Sequence, residues 1–235
     1  MWRQIADALA ADISAGRLAP GERLATEFEL AERFAVNRHT LRRAMAELAD
    51  QGLLRIEQGR GTFVNQTAID YTLGKRTRFS ENLLRQRVTA GHRLLSVETA
   101  VAPPNVAADL AIPEQAPIIR LETLGVADGV PISYAIHSLA LPRFAAIGER
   151  LRELGSLTDA LAACGVPDYA RKVTRLLARP PTEREALHLD QSLARPVLQT
   201  EAVNIDPNGV PTHHTLAVFA GDRVQMIVEP GSGTD

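Results

Sequence analysis

At Gly52 the spacing of apolar residues changes from a helical period to strict alternation, and that change confines the head of the chain to helices followed by a hairpin. Before it, Ile5, Ala8, Leu9, Ala11 and Ile13 fall on one helical face, and Gly16 supplies a stop. Pro20-Gly21 makes a turn, Thr26 stands as an N-cap ahead of Glu27 and Glu29, and Leu30, Ala31 and Phe34 carry a short second helix. The chain breaks again at Ala35-Val36-Asn37. A third helix then starts near Asn37, with Leu41, Ala44, Met45 and Leu48 as its apolar stripe. Beyond Gly52, Leu54-Arg55-Ile56-Glu57 and Thr62-Phe63-Val64 alternate around Gly59-Arg60-Gly61, which reads as a hairpin with a glycine-rich tip. Three helices followed by a hairpin is the order of a winged helix-turn-helix.

Charge adds a location. The chain carries a formal net charge of -2, and its first 64 residues hold nine basic and nine acidic side chains, so composition does not mark a nucleic-acid binder. Yet Asn37-Arg38-His39-Thr40-Leu41-Arg42-Arg43 opens the third helix with no acid until Glu47. The start of the second helix of a helix-turn-helix enters the major groove, where arginine pairs with guanine O6 and N7. Arg38 and Arg42, spaced i, i+4, share a face and are expected to read bases. Asn37, His39 and Thr40 suit phosphate oxygens, and Thr26 joins them through its hydroxyl and the free amides of a helix start. At the wing tip, Gly59 and Gly61 let the backbone approach a duplex while Arg60 reaches a minor groove or phosphate. By themselves these arginines equally suit a solvated helix face; the helices, the short turn and the Gly-Arg-Gly tip together favour DNA.

The 235 residues, 45% hydrophobic, suffice for two cores. The expected division is a winged helix-turn-helix over residues 1–64, a polar linker over 65–77 carrying Lys75 and Arg76, and a larger domain over 78–235. In that larger part, Pro117-Ile118-Ile119-Arg120-Leu121-Glu122 runs to Asp128-Gly129-Val130-Pro131, and Pro196-Val197-Leu198-Gln199-Thr200-Glu201 runs to Asn208-Gly209-Val210-Pro211. Both read as β-hairpins, each preceded by a short leucine-bearing helix. A duplicated helix-hairpin unit sharing one antiparallel sheet follows, with helices on one face and a cleft at the seam: an α+β domain. A further helix over residues 157–164 lies between the copies. The single cysteine, Cys164, allows no intramolecular disulfide and reads as a small packed residue. No apolar stretch approaches the roughly 18 residues of a membrane span, and the start lacks signal-peptide features, so a cytoplasmic protein is expected.

Leu18 through Pro20-Gly21-Glu22-Arg23-Leu24, then Phe34-Ala35-Val36-Asn37-Arg38-His39-Thr40-Leu41-Arg42-Arg43-Ala44, then Gln58-Gly59-Arg60-Gly61-Thr62-Phe63-Val64, resembles the DNA-binding domain of GntR-type regulators. The remainder resembles the HutC subgroup, supported by Asp128-Gly129-Val130-Pro131 and Gly221-Asp222-Arg223-Val224. The resemblance implies a C-terminal UTRA domain of chorismate-lyase-like fold that binds effectors and dimerises. Asn37 to Ala44, together with Arg78-Phe79-Ser80-Glu81-Asn82-Leu83, is similar to phosphonate-metabolism repressors. The chain departs from the subgroup at His213-His214-Thr215, where Glu-Tyr-Ser is common; His214 can donate a hydrogen bond from the tyrosine's place.

What such an effector would touch is read from single residues. Thr77-Arg78-Phe79-Ser80-Glu81 opens a helix, so Arg78 and Ser80 form either an anion cradle or a plain capped helix end. Arg120 and Glu122 share one face of a strand, either as ligand contacts or as a surface pair. His137 and His214 sit on the return strands of the two hairpins and are expected across the seam, as ligand contacts or as packed histidines. Neighbouring His213 and His214 project oppositely and cannot share a metal, and no zinc spacing or cofactor motif is visible. The expected function is a homodimeric repressor on a palindromic double-stranded operator, released by a small phosphorylated or phosphonate-type anion. An amino sugar phosphate or a histidine-pathway intermediate is the alternative effector. The alternative class is an enzyme on the same fold, against which stands the lack of any nucleophile-base pair, carboxylate dyad or phosphate-binding glycine loop.

Overall fold

The computed structural model describes residues 1–57, 59–65 and 68–228, so Gln58 lies outside the described residues. The chain divides into two compact units, Met1–Thr67 and Ala68–Asp235.

In the first unit, α1 (Trp2–Ser14), α2 (Glu27–Arg33) and α3 (Arg38–Asp50) precede a hairpin of β1 (Leu54–Glu57) and β2 (Gly61–Val64). Their apolar stripes meet in one core of Ile5, Leu9, Leu30, Leu41, Met45, Leu48, Leu54 and Val64. A capping box starts α2, with Glu29 N donating to Thr26 Oγ1 and Thr26 N to the Glu29 carboxylate. Ala35, at φ 51, turns the chain into α3, and Asn37 Oδ1 caps that helix by accepting from Thr40 N at 2.8 Å. The hairpin pairs Leu54 with Val64 and Glu57 with Gly61. Leu24 N donates to Thr62 O, so the segment after the Pro20-Gly21 turn lies along the wing.

The second unit runs β3 (Ile69–Leu73), α4 (Phe79–Arg85), β4 (Ala90–Val101), α5 (Pro104–Leu110), β5 (Pro117–Ala127), β6 (Val130–Ala140), α6 (Ile147–Leu154), α7 (Leu157–Ala163), β7 (Ala170–Arg179), α8 (Glu183–His188), β8 (Val197–Ile205), β9 (Pro211–Ala220) and β10 (Val224–Val228). An antiparallel sheet in the order β4-β5-β6-β9-β8-β7 forms its centre. The order is mirrored about the β6-β9 seam: strand, helix and hairpin occur as β4-α5-β5-β6 and again as β7-α8-β8-β9. The repeated unit therefore includes a leading strand that hairpin chemistry alone does not reveal.

Two expectations need correction. Residues 65–77 are not all linker, because β3 pairs in parallel with β10, and Tyr71 at its centre is buried. Helices also cover both faces of the sheet rather than one. Ile119, Leu121 and Leu139 pack on α6 and α7, while Ile118 packs on Val106 and Leu110 of α5, and Leu124 and Val197 pack beside Leu189. Consecutive apolar residues such as Ile118-Ile119 are the signature of a strand buried on both sides.

Candidate functional site

The exposed face of α3 presents Arg38, His39, Arg42 and Arg43, with Leu41, Ala44 and Met45 turned into the core. The Arg38 guanidinium lies 5.8 Å from the Phe28 ring centroid, and Phe28 is 60% exposed. Arg42 Nε donates to Glu27 Oε2 at 2.8 Å. Both partners are solvated, so the pair contributes little and a duplex can displace it. Glu27→Ala is accordingly expected to tighten DNA binding by roughly two- to threefold, measured by gel shift at fixed salt. Asn37 and Thr40 have duties within the helix, since Asn37 Oδ1 accepts from both the amide and the hydroxyl of Thr40. Thr26 likewise closes its capping box with Glu29.

The wing tip is held from within. Arg60 Nη1 donates to Glu57 Oε2 at 3.1 Å, and Arg55 Nε donates to Glu57 Oε1 at 3.0 Å. Arg60 thus folds back on the wing, where the sequence suggested an extended reach. Gly59 and Gly61 adopt φ of 77 and 117. The φ of Gly61 is one that side chains rarely adopt, so glycine suits this turn on backbone grounds, and a Cβ there would also have to displace the Arg23 guanidinium, 2.8 Å away at Nε.

In the second unit a cavity of about 240 Å³ opens on the face of the sheet that carries α4 and α7. Its floor includes Thr123, His137, Asn204, His213 and Thr215; its rim includes the first turns of α4 and α7, Tyr71 of β3 and Arg171 of β7. Arg78 is buried, with its guanidinium carbon 3.5 Å from the Tyr169 ring centroid and Nη2 donating to Tyr169 O at 2.8 Å. Its Nη1 and the Nε of Arg171 are buried without a hydrogen-bond partner among the described residues, as is the acceptor Asn204 Oδ1. Burial pulls the Arg171 guanidinium below its usual range. Buried cationic donors left unpaired are costly, and an anion in this cavity relieves that cost.

Three neutral histidines complete the wall. His137 places Nε2 3.1 Å from Thr123 Oγ1 and Nδ1 3.1 Å from Thr215 Oγ1. Burial pushes it down to about 3, aided by the nearby His92, Arg171 and His214. His92, edge-on to Phe79 at 4.4 Å, is lowered by burial to about 4. His213 is held well below its usual value by burial and by the surrounding His137 and arginines. Its Nε2 lies 3.1 Å from Asn204 Nδ2, which assigns that nitrogen as acceptor and the Nδ1 proton to Thr212 Oγ1.

Of the residues expected to meet an effector, Arg78, Ser80 and His137 line the cavity, whereas Arg120, Glu122 and His214 do not. Arg120 donates to Glu98 Oε1 at 2.6 Å, and buried Glu122 accepts from Arg184 at 2.5 Å. Arg120 and Glu122 do share a face, but it is the one turned to α5 and α8, because Thr123 takes the cavity side. Strand parity separates the histidines in the same way: His213 faces the cavity and His214 faces Glu201. Arg171, Asn204 and His213 were missed. A polar Asn204 after Ala202-Val203 was the available signal for one of them.

Residues 2–64 match the bacterial regulatory proteins of the gntR family, and residues 85–225 match the UTRA domain. The chain belongs to the GntR family. This GntR-family protein is 39% identical, over 97% of its length and 94% of the relative's, to an uncharacterized HTH-type transcriptional regulator of Rhizobium meliloti (strain 1021). It is 30% identical to the HTH-type transcriptional repressor NagR of Bacillus subtilis (strain 168), with 97% and 93% of the two chains covered. The crystal structure of PhnF from Mycobacterium smegmatis matches with a TM-score of 0.66 at 25% identity, covering 97% of this chain and all of that one. Like other GntR regulators, the chain is a DNA-binding transcriptional regulator responsive to a small molecule, and these relatives lend the enzyme reading no support. Among the described residues no helix is long and apolar enough to cross a membrane.

Proposed function

We propose that the chain is a cytoplasmic, homodimeric repressor of a palindromic operator, released when a small phosphorylated or phosphonate-type anion enters the cavity. Arg38 and Arg42 read bases from α3. His39, with Thr26, Asn37, Thr40 and the Gly59-Arg60-Gly61 tip, sets the protein on the phosphate backbone. The observation that carries the effector reading is a pair of arginines lining the cavity, buried Arg78 and half-buried Arg171, each with one buried N–H unpaired among the described residues. Neutral histidines and hydroxyls around them suit hydroxyl or amine groups on the remainder of such a ligand.

The route from ligand to DNA is short in sequence. Tyr71 lines the cavity from β3, the strand that begins at the junction of the two units. Arg171 N donates to Lys75 O at 2.8 Å, so the segment between β3 and α4 is tied to the strand that supplies a cavity arginine. A ligand that prefers one setting of these elements shifts the population of operator-competent dimers by its differential affinity.

A thermal-shift panel of phosphonates, amino sugar phosphates and histidine-pathway acids, followed by gel shift with each hit, tests the reading. The expected hit raises the melting temperature, releases operator, and binds Arg171→Ala at least about tenfold more weakly, the scale of a charged hydrogen bond. Unchanged ligand affinity in both Arg171→Ala and Arg78→Ala would place the effector elsewhere. Operator release by no anion would reduce the second unit to a dimerisation module.

A further inference from the structure

On the face of the sheet opposite the cavity, three metal-ligating side chains from three elements converge. His214 Nε2 lies 3.0 Å from Glu201 Oε1 and 3.7 Å from Asp109 Oδ2, and the three ligand atoms all fall within 4.8 Å of one another. We propose that Asp109, Glu201 and His214 bind a divalent transition-metal ion of the zinc class, at a site separate from the effector cavity.

The placement follows from the fold. Glu201 of β8 and His214 of β9 are diagonal neighbours on one sheet face, because His214 pairs with Val203, two residues on from Glu201. Asp109 reaches them from the last turn of α5, which packs on β9 and has no basic residue in that turn. A carboxylate there sits at the negative end of the helix, facing a second carboxylate across a buried imidazole. The local field therefore favours a cation. Zinc bonds of about 2.0–2.2 Å to nitrogen and oxygen in tetrahedral geometry separate ligand atoms by roughly 3.3–3.6 Å, a range lying between the two contacts measured here. Small side-chain rotations convert the cluster into three ligands and leave coordination positions for water. One nitrogen with two oxygens favours a borderline ion over magnesium or calcium, which take oxygen shells.

The competing cation is Arg175, whose Nη1 lies 3.8 Å from Asp109 Oδ2. Its side chain is 57% exposed on the edge strand β7 and can turn to solvent when a metal arrives. A bound ion would tie α5, from the first half of the duplicated fold, to two strands of the second half. Asp109 lies more than 90 residues before the other two, so no ligand spacing could announce the set.

Full-length protein titrated with Co²⁺ is expected to develop visible d–d absorption that saturates at one ion per chain and is displaced by Zn²⁺. His214→Ala should remove the band and weaken zinc binding, measured by equilibrium dialysis, at least about tenfold, since even outer-sphere partners of a metal ligand count on that scale. Asp109→Asn, at a partly exposed helix end, should do the same with an unchanged melting temperature in metal-free buffer. Arg175→Ala should tighten binding, and Arg171→Ala in the effector cavity should leave it alone. Absence of saturable binding in the wild type, or a band that survives both ligand substitutions, overturns the site. Displacement of Co²⁺ by equimolar Mg²⁺ or Ca²⁺ overturns the assigned class of ion.

Discussion

Replacing Arg38 and Arg42 together by alanine is expected to abolish operator-specific binding while the first unit stays folded. Each bidentate arginine–guanine pair is worth about 1–3 kcal/mol of discrimination, so the double change should reduce specific affinity by roughly 30-fold to 10⁴-fold. Both side chains are exposed and neither supports the core of Leu9, Leu41, Met45 and Leu48, so the melting temperature should barely move. Operator selected by the wild type from random duplexes supplies the probe, and unselected duplex the reference. The informative quantity is the ratio of the two affinities. If the arginines read bases, the ratio collapses; if they touch only phosphates, both affinities fall together and the ratio survives. Wild-type specific affinity in the double variant would remove α3 as the reading helix. Glu27 sharpens the test, because it holds Arg42 in the free protein and its loss should act in the opposite direction.

The first unit was legible because its signals are local. The Thr26 capping box, the Asn37 cap and the change of period at Gly52 each act within a few residues, and α1, α2, α3 and the hairpin follow them. The second unit depends on pairings that no short window contains. β7 went unread because it is an edge strand, with Arg171, Lys172, Thr174 and Arg175 interrupting any apolar alternation. β3 went unread because its partner, β10, lies more than 150 residues away in sequence. The cavity inherits both omissions: Tyr71 comes from β3 and Arg171 from β7. For Arg120, Glu122 and His214 the strands were read but their facing was not. Parity says that Arg120 and Glu122 point together, and only the packing of α4, α5, α7 and α8 decides which side holds the cavity. The same ambiguity exchanged His213 for His214, a choice of one residue that moves an imidazole from the effector site to a carboxylate cluster.

Acid should unfold the second unit well before carboxylates titrate. His92 and His137 are lowered by burial from 6.5 to about 4 and about 3, and His213 is lowered well below 6.5. Below pH 6.5 the unfolded chain takes up protons that the folded one refuses, so this contribution is fully present above 6.5 and is lost as pH falls toward 4. Each histidine contributes a slope of up to about 1.4 kcal/mol per pH unit, and three approach about 4, against a total stability of about 5–15 kcal/mol. The chain carries its own reporters. Its single tryptophan, Trp2, lies in the first unit and its three tyrosines, Tyr71, Tyr134 and Tyr169, in the second. Urea unfolding at pH 7.5 and 5.0 should therefore shift the tyrosine transition to much lower denaturant while the tryptophan transition moves little, since the three lowered histidines all belong to the second unit. His137→Gln should flatten the dependence. A tyrosine transition that does not move over this range would show that the cavity histidines are already charged or solvated, and a neutral lining around two arginines would have to be abandoned. An anion bound beside Arg78 and Arg171 favours the protonated imidazoles and should shrink the acid loss, which couples effector binding to pH through the same side chains.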